Sequence, residues 1–537
     1  MTEKSGRMGY YKDLREYLVF LEEHGKLVRI KRNIVKETEL SAIARLPFRG
    51  LPEQDRMGFL FENVIDVKGH KYDAEVAAGI YASSLDMYAM GMMCEPSQIR
   101  ERWIKAQTEP ILPRMVSSGP VQEIVYQGED LLIDGQGVEA LPIPVELPGF
   151  SGQIRTSTQM ISKDMDTNIR NCGNYSAHVF GKTKILWEIQ RVNHGFYHWK
   201  SAKEKGKPLP VAFVIGATPN LTYVASAKLP VGVDEFDVAG GIAGEPMELV
   251  KCKTVDLEVP ANAEAVIEGL VSTEYWEPGN AFGEYTGYMA LEVHYRPVVN
   301  VTCVTTRKRP IFTHVVSQMP PSESSMLRRV SSDSIFYNFI KNHCNVPGII
   351  DVAWHEISQA MWCVISLKKL HPAHSMQALM GAATYDPRWG KVFIAVDDDI
   401  DPRDMDSVIW AIGWRMQPHR DVKIIRGRVP GLDLSIFKEG YTEADKAYPD
   451  GEGSSAMLMD ATRKSEYPPV SLPKKEFMDK ALQIWEEEKL PALKLKVPWF
   501  GYDLGAWPEV SKEDAELVLK GEHYKVGQRL EKERKPV

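Results

Sequence analysis

The sequence predicts a mixed α/β protein of several domains with a β-rich centre, and three observations carry that expectation. A chain of 537 residues is long for a single hydrophobic core. From residue 115 to 318 the chain runs in short β-type segments divided by Gly, Pro, Asn and Asp, the texture of a sandwich or barrel. On both sides of that region helical and strand patterns alternate, as crossover layers require.

Taken in order, "DLREYLVFLEEHGKLVRI" reads as a helix followed by a strand. Asp13 caps it, Glu16 completes a capping box, Leu14, Leu18 and Leu21 share one face, and Gly25 stops it. "ETELSAIARL" is a second helix and "GFLFENVI" a buried strand, giving an N-terminal α/β domain over residues 1–114. The central domain, 115–318, contains the strands "HVFGKTKILWEIQRV", "PVAFVIGA", "AEAVIEGLV", "YRPVVNVTCVTT" and "PIFTHVVS". In a third domain, 319–490, "SIFYNFIKNH" and "SVIWAIGWRM" are helical and "KVFIAVDDDID" is a buried strand entering an acidic loop. "KKEFMDKALQIWEEEKL" is an amphipathic helix with Phe477, Ala481, Ile484 and Trp485 on one side. A C-terminal extension, 491–537, ends in "SKEDAELVLKG", where Ser511 and Asp514 form a capping box and Gly521 is the stop. No internal repeat or low-complexity segment interrupts this order.

Composition narrows the function classes. With 65 basic and 73 acidic residues the net charge is -8, which argues against nucleic-acid and anionic-membrane partners. No apolar run reaches membrane-span length, and "MTEKSGRMGYYKD" lacks a signal peptide's apolar core, so a cytoplasmic protein is expected. Six scattered cysteines without a CxxC pair read as reduced thiols. GxGxxG, Walker A, HExxH and GxSxG signatures are absent.

Several local features can carry chemistry. "DDDID" (397 to 401) offers oxygen ligands, although a solvated loop and helix cap explain it better. His371 and His374 in "HPAHS" have a metal-compatible spacing, but Pro372 marks a helix start. "AGGIAG" (239 to 244) reads as a tight loop. "LPVGVDEFD" presents Glu235 after a Pro-Gly turn, in the region that also holds Asn171 and His194. Asn, His and Glu make a divalent-cation site that needs a further anion such as phosphate. "WEPGNAFGEYTGYM" sets Glu284 among glycines and aromatics, either as a solvated hairpin corner or as an acid held against a flat ligand.

These stretches resemble the UbiD family of reversible aromatic and α,β-unsaturated (de)carboxylases, which use prenylated FMN. The resemblance is carried by "DLREYLVFLEEHGKL", "NCGNYSAHVFGKTK", "ELVKCKTVDLEVPANAEAVIEG", "AFGEYTGY", "VDDDID" and "DSVIWAIGWRMQP", in family order from near residue 13 to about 462. It implies a central split β-barrel like that of flavin reductases and a C-terminal domain that supports homo-oligomers, from dimer to hexamer. It implies a divalent metal, manganese or iron, on Asn171, His194 and Glu235, which also holds the flavin phosphate. It implies a potassium ion on backbone carbonyls of Val224, Ala225 and Ala227 with Ile169, and Gly173 and Ser226 beside the cofactor. Of the family's Arg and two Glu around the reacting carbon, only Glu284 is retained as the catalytic acid. Ser176 stands at the Arg position and Gly279 at the first Glu, both in the substrate pocket, and Ala456 lies where a phosphate-binding Lys is usual. The expected partners are an aromatic acid or aryl-CoA substrate, with phthaloyl-CoA the best fit, and a flavin prenyltransferase supplying the cofactor. The alternative is a non-catalytic subunit of a multi-subunit carboxylase.

Overall fold

The computed structural model describes residues 9–150, 155–189, 193–279, 282–290, 295–428, 433–436, 454–493 and 505–535. The chain forms two compact units, Met1–Phe339 with Trp354–Trp362, and Ile340–Ala353 with Cys363–Val537. Among the described residues no helix is long and apolar enough to cross a membrane. All six cysteines are free.

The first unit opens with the expected helix, Leu14–Glu23, whose N-terminus Asp13 caps by accepting from the Glu16 N–H at 3.0 Å. Leu14, Leu18 and Leu21 are buried on one face, joined by Tyr17. The next helix is Leu40–Gly50, and the "GFLFENVI" strand is Gly58–Ile65. That strand lies parallel to Leu27–Val35 and antiparallel to Glu75–Ala78. The fourth member of this sheet is Ile311–His314, paired parallel to Glu75–Ala78. The sequence texture assigned "PIFTHVVS" to the β-rich centre, and this is a correction. All four residues of the strand, Thr313 and His314 included, are buried, so no exposed face marks its neighbours and such a run fits either sheet.

The centre is a barrel, which resolves the choice between sandwich and barrel. Its strands are β1 (Arg155–Lys163), β2 (Arg170–Gly181), β3 (Lys184–Trp187), β4 (Leu209–Ile215), β5 (Ala265–Pro278) and β6 (Tyr295–Thr306). They pair antiparallel in the order β5-β4-β1-β2-β3-β6, and β6 returns to β5, so the sheet closes on itself. Closure leaves few ladder groups unpaired and encloses Ile185, Trp187, Val211, Phe213, Ile267 and Val299. Between Val271 and Trp276 the β5–β6 register breaks, which bends the end of β5 away from β4.

Four helices of this unit matter for the site: α1 (His194–Glu204), α2 (Pro219–Ser226), α3 (Glu235–Ala243) and α4 (Glu323–Asn338). "AGGIAG" is the second half of α3 and its stop, a correction to the expected loop. Its glycines serve close packing. A Cβ on Gly240 would lie 2.3 Å from the Ile111 carbonyl oxygen, and one on Gly241 would lie 2.8 Å from Ala106.

The second unit carries a five-stranded sheet in the order Ile349–Trp354, Trp362–Leu367, Val392–Asp397, Ser454–Asp460, Val422–Arg428. At the acidic loop after Val392–Asp397, Asp397 and Asp399 are buried and ion-paired while Asp398 is exposed, so the expected solvation holds only in part. Arg415 bonds Asp397 at 2.8 Å and Asp399 at 2.7 and 2.8 Å. The following helix, Met405–Arg415, has Asp404 at its N-cap position. His374 begins the helix His374–Thr384, as Pro372 foretold. Near the C-terminus, Glu509–Leu519 starts after Pro508, so Ser511 lies inside the helix, and Asp514 pairs with Arg529 instead of capping.

Candidate functional site

Along β2, β3 covers only the Ala177–Gly181 end. The Arg170–Tyr175 end of β2 therefore has an edge free of strand partners on that side, and helices supply its contacts. The Cys172 N–H donates to Glu235 Oε2 at 2.8 Å. Glu235 is the first residue of α3, whose N-cap Asp234 accepts from the Phe236 N–H at 2.9 Å. Arg170 grips Asp234 through Nε at 2.8 Å and Nη2 at 2.7 Å, and reaches Glu258 at 3.2 Å. The residue before Asn171 thus holds the residue before Glu235, and the clamp sets both side chains.

Asn171 is 4% exposed and Glu235 5%. The Asn171 Nδ2 makes no hydrogen bond of ordinary geometry among the described residues, although the amide lies near enough to the Tyr175 hydroxyl to favour its ionised form. Burial pushes the Glu235 carboxyl up to about 8, against the bond from Cys172 that favours the anion. The Asn171 Nδ2 is a donor and suits an acceptor such as a phosphate oxygen. Its Oδ1 and the Glu235 carboxylate, which burial raises with no cation nearby, are oxygen ligands suited to a divalent ion. Among the described residues no three His, Cys, Asp or Glu side chains gather as a metal site, so a metal here requires the Asn171 amide.

His194 begins α1, which is pinned to the same strand. The Gly195 N–H donates to the Tyr175 hydroxyl at 3.3 Å, and Tyr175 meets Trp187 edge to face at 5.5 Å. One turn on, buried His198 lies 2.9 Å from Ser162 Oγ, and burial drives it down to about 4, so its neutral ring serves to seat α1. Its spacing of four from His194 was the overlooked sequence signal. Gly173 is explained by its own strand: a Cβ there would sit 2.4 Å from the Tyr175 ring.

The C-terminal end of α2 joins the same strand. Asn174 Nδ2 donates to Ser226 Oγ and, at 3.4 Å, to the Thr222 carbonyl, while Ser226 Oγ donates to that carbonyl at 2.8 Å. Val224, Ala225 and Ala227 lie at this carbonyl-rich helix end, whose dipole favours a cation. The Ile169 carbonyl already accepts from the Asp164 N–H at 3.0 Å, leaving one lone pair for any ion.

Glu284 occupies the corner of a hairpin between Phe282–Gly283 and Met289–Ala290. Its N–H donates to the Tyr288 carbonyl at 2.9 Å, and its own carbonyl accepts from Gly287 at 3.1 Å. Gly287 has φ +100°, the conformation that the turn requires of glycine. Phe282 is buried and Tyr285 half-buried, but Tyr288 is 68% exposed, so two of the three aromatics dry the corner.

Sequence reasoning missed what supports this corner. Phe282 meets the buried His178 edge to face at 5.3 Å. His178 Nε2 lies 3.0 Å from Glu188 Oε1, and Arg296 Nε donates to Glu188 Oε2 at 2.7 Å. Burial pushes the Glu188 carboxyl up, yet His178 and Arg296 outweigh it and hold it below its ordinary range. The Glu188 N–H donates to the Ser176 carbonyl at 2.8 Å, and Arg296 stands across the ladder from Glu277, two residues before the buried Gly279. The positions of Ser176 and Gly279 are thus flanked by an Arg–Glu–His network from β2, β6 and the residue after β3. Arg328 of α4 stacks over the Tyr285 ring at 3.7 Å. In the second unit, Ala456 is buried within Ser454–Asp460.

Residues 114–320 match the family model described as the 3-octaprenyl-4-hydroxybenzoate carboxy-lyase Rift-related domain, and residues 326–461 match the C-terminal domain of the same family. An uncharacterized protein of Aquifex aeolicus is 33% identical over 510 residues, covering 89% of this chain and 99% of that one. One from Archaeoglobus fulgidus is 30% identical over 446 residues, 77% of this chain and 86% of the other. Among solved structures, the UbiD-class enzyme HmfF of Pelotomaculum thermopropionicum in complex with FMN is 29% identical with a TM-score of 0.73, over 87% of this chain and 99% of its own. An evolved dimeric form of HmfF, in complex with prFMN, is 28% identical with a TM-score of 0.72, over 88% and 98%. Vanillic acid decarboxylase of Sedimentibacter hydroxybenzoicus in closed form, 24% identical with a TM-score of 0.75 over 89% and 100%, shares the fold.

Proposed function

The chain belongs to the UbiD family of carboxy-lyases, and on that premise we propose that it decarboxylates an aromatic carboxylic acid or its CoA thioester, reversibly, with prenylated FMN held through a divalent metal. The observation that carries the cofactor reading is the buried Glu235 carboxylate, short of any cation and bonded to the Cys172 N–H, the residue next to the buried Asn171 amide. Asn171, Glu235 and His194 hold the metal, manganese or iron, and the metal offsets phosphate charge that this acidic chain would otherwise repel. The carbonyls of Val224, Ala225 and Ala227 hold potassium at the end of α2, with Ser226 and Gly173 beside the flavin. When bound, the prenylated flavin supplies the electron sink that lets CO2 leave an aromatic carbon.

The residues of this chain do the rest. CO2 leaves as the carbon–carbon bond breaks, and the ring carbon takes the proton of the Glu284 carboxyl in its place, forming a C–H bond; solvent then returns a proton to Glu284. Phe282 and Tyr285 keep water from this corner, and the Arg296–Glu188–His178 network braces it from behind. Ser176 and Gly279 leave room that longer side chains would occupy, which favours a bulky substrate. Phthaloyl-CoA, decarboxylated to benzoyl-CoA, is the substrate we favour. The retained metal set weighs against the alternative of a non-catalytic subunit, which has no need to keep it.

The test is co-expression with a flavin prenyltransferase, followed by the flavin spectrum, metal content and incubation with phthaloyl-CoA. Release of CO2 and benzoyl-CoA is expected. Flavin and metal present without turnover would discard this substrate, and protein carrying neither would discard the cofactor reading.

A further inference from the structure

Arg328 projects from α4 onto the Tyr285 ring, with its guanidinium carbon 3.7 Å from the ring centroid, one residue from Glu284. It is half-buried, and among the described residues its side chain makes no hydrogen bond and no ion pair. Several other arginines of this unit do pair. Arg170 holds Asp234, Arg296 holds Glu188, Arg307 holds Asp13 and Glu264, and Arg15 holds Glu264. A partly desolvated cation with no anion is costly and calls for one. The ring fixes the plane of the guanidinium and leaves its N–H edges, the fork that matches a carboxylate, directed away from the stack.

We propose that Arg328 binds the carboxylate of the substrate, the group that departs as CO2. The proposal rests on the reading of the Glu284 hairpin as the decarboxylation corner. In that reaction one carbon loses a carboxylate and gains a proton, so the group that holds the first and the group that delivers the second must be neighbours. Arg328 and Glu284 are neighbours through Tyr285. Ser176 supplies no cation, and Arg296 is already neutralised by Glu188, with its Nε and Nη1 engaged. A flat aromatic acid also suits a corner walled by Phe282 and Tyr285, where a ring packs against rings.

The experiment uses flavin-loaded holoenzyme and reads the flavin absorbance as benzoate, phthalate and 4-hydroxybenzoate are each titrated against the corresponding neutral amide. Arg328→Met is expected to weaken the acids about tenfold or more, the worth of one charge-assisted hydrogen bond, and to leave the amides unchanged. Arg328→Lys, which keeps the charge but not the fork, should fall between. Equal weakening of acid and amide, or no weakening of the acid, would overturn the proposal, as would loss of bound flavin in both variants. If none of the acids perturbs the wild-type flavin, the decarboxylation corner itself is misread and the proposal falls with it. Acids that bind the wild type and are indifferent to Arg328 would sink the proposal alone. Should Arg328→Met fail to fold, Arg328→Lys and Tyr285→Leu, which frees the guanidinium from its stack, give the same acid-against-amide comparison.

Discussion

The Glu235 carboxylate accepts from the Cys172 backbone N–H at 2.8 Å, at the stretch of β2 that β3 does not cover. A strand edge left open by its neighbour is satisfied by an acid from a helix N-terminus, and the same acid is the centre of the proposed metal site. Its charge state therefore links metal binding to pH.

Burial raises the Glu235 carboxyl to about 8, so in the metal-free protein it is protonated at neutral pH and a metal must displace that proton. Manganese affinity is expected to climb by about tenfold per pH unit below pH 8 and to level above it. In the metal-free fold the raised value also means that stability falls as pH rises from the ordinary carboxylate range through about 8. Glu235→Gln should flatten both trends and lose flavin together with metal. Isothermal titration at several pH values checks the first, and thermal melts of the metal-free protein check the second.

The Arg170–Asp234 clamp acts on the proposed metal site from outside its ligand set. Asp234→Asn weakens the grip on Arg170 and loosens the start of α3, so metal affinity is expected to drop by about 10- to 100-fold. The fold should persist, because Arg170 keeps Glu258. Unchanged metal affinity in a well-folded Asp234→Asn protein would show that α3 is held elsewhere.

Glu188 sits between a buried His178 and Arg296. Glu188→Ala leaves a largely buried guanidinium without its anion and is expected to cost about 3 kcal/mol or more of stability. Because the Glu188 carboxyl is held low, its contribution is present at neutral pH and fades on acidification through that depressed value. Denaturant melts of wild type and variant at neutral and acid pH should converge at the acid end.

Glu284→Gln tests the proton donor. The amide keeps the shape of the corner, so flavin content should be unchanged while turnover falls by about 10²-fold. Deuterium from solvent at the former carboxylate carbon should fall in step. A variant with wild-type turnover would reduce Glu284 to a turn residue.

Much of this was legible in the sequence because it depends on local pattern. Asp13 with Glu16 marked a helix start, and the Leu14, Leu18 and Leu21 spacing marked its buried face. "YRPVVNVTCVTT" named strand β6 to the residue, since its length and β-branched content leave no other reading. Asn171, His194, Glu235 and Glu284 stood in recognisable stretches of chain. Apart from the Ser511–Asp514 capping box, what failed were assignments that depended on a distant partner. Ile311–His314 is a fully buried strand whose sheet could be chosen only by what lay beside it. "AGGIAG" looked like a loop until the Ile111 carbonyl and Ala106 supplied the reason for glycine inside a helix.

The sequence by itself therefore determined the α/β class, the β-rich centre, the family and the residue types offered to metal and proton chemistry. Only the tertiary structure decided which of them meet. Arg170 and Asp234 are distant along the chain, as are His178, Glu188 and Arg296, and Tyr285 and Arg328. Periodicity reports a residue's face within its own element, whereas an ion pair or a stacked ring depends on where two elements cross. The closed barrel sets those crossings, because closure fixes the register of every strand at once.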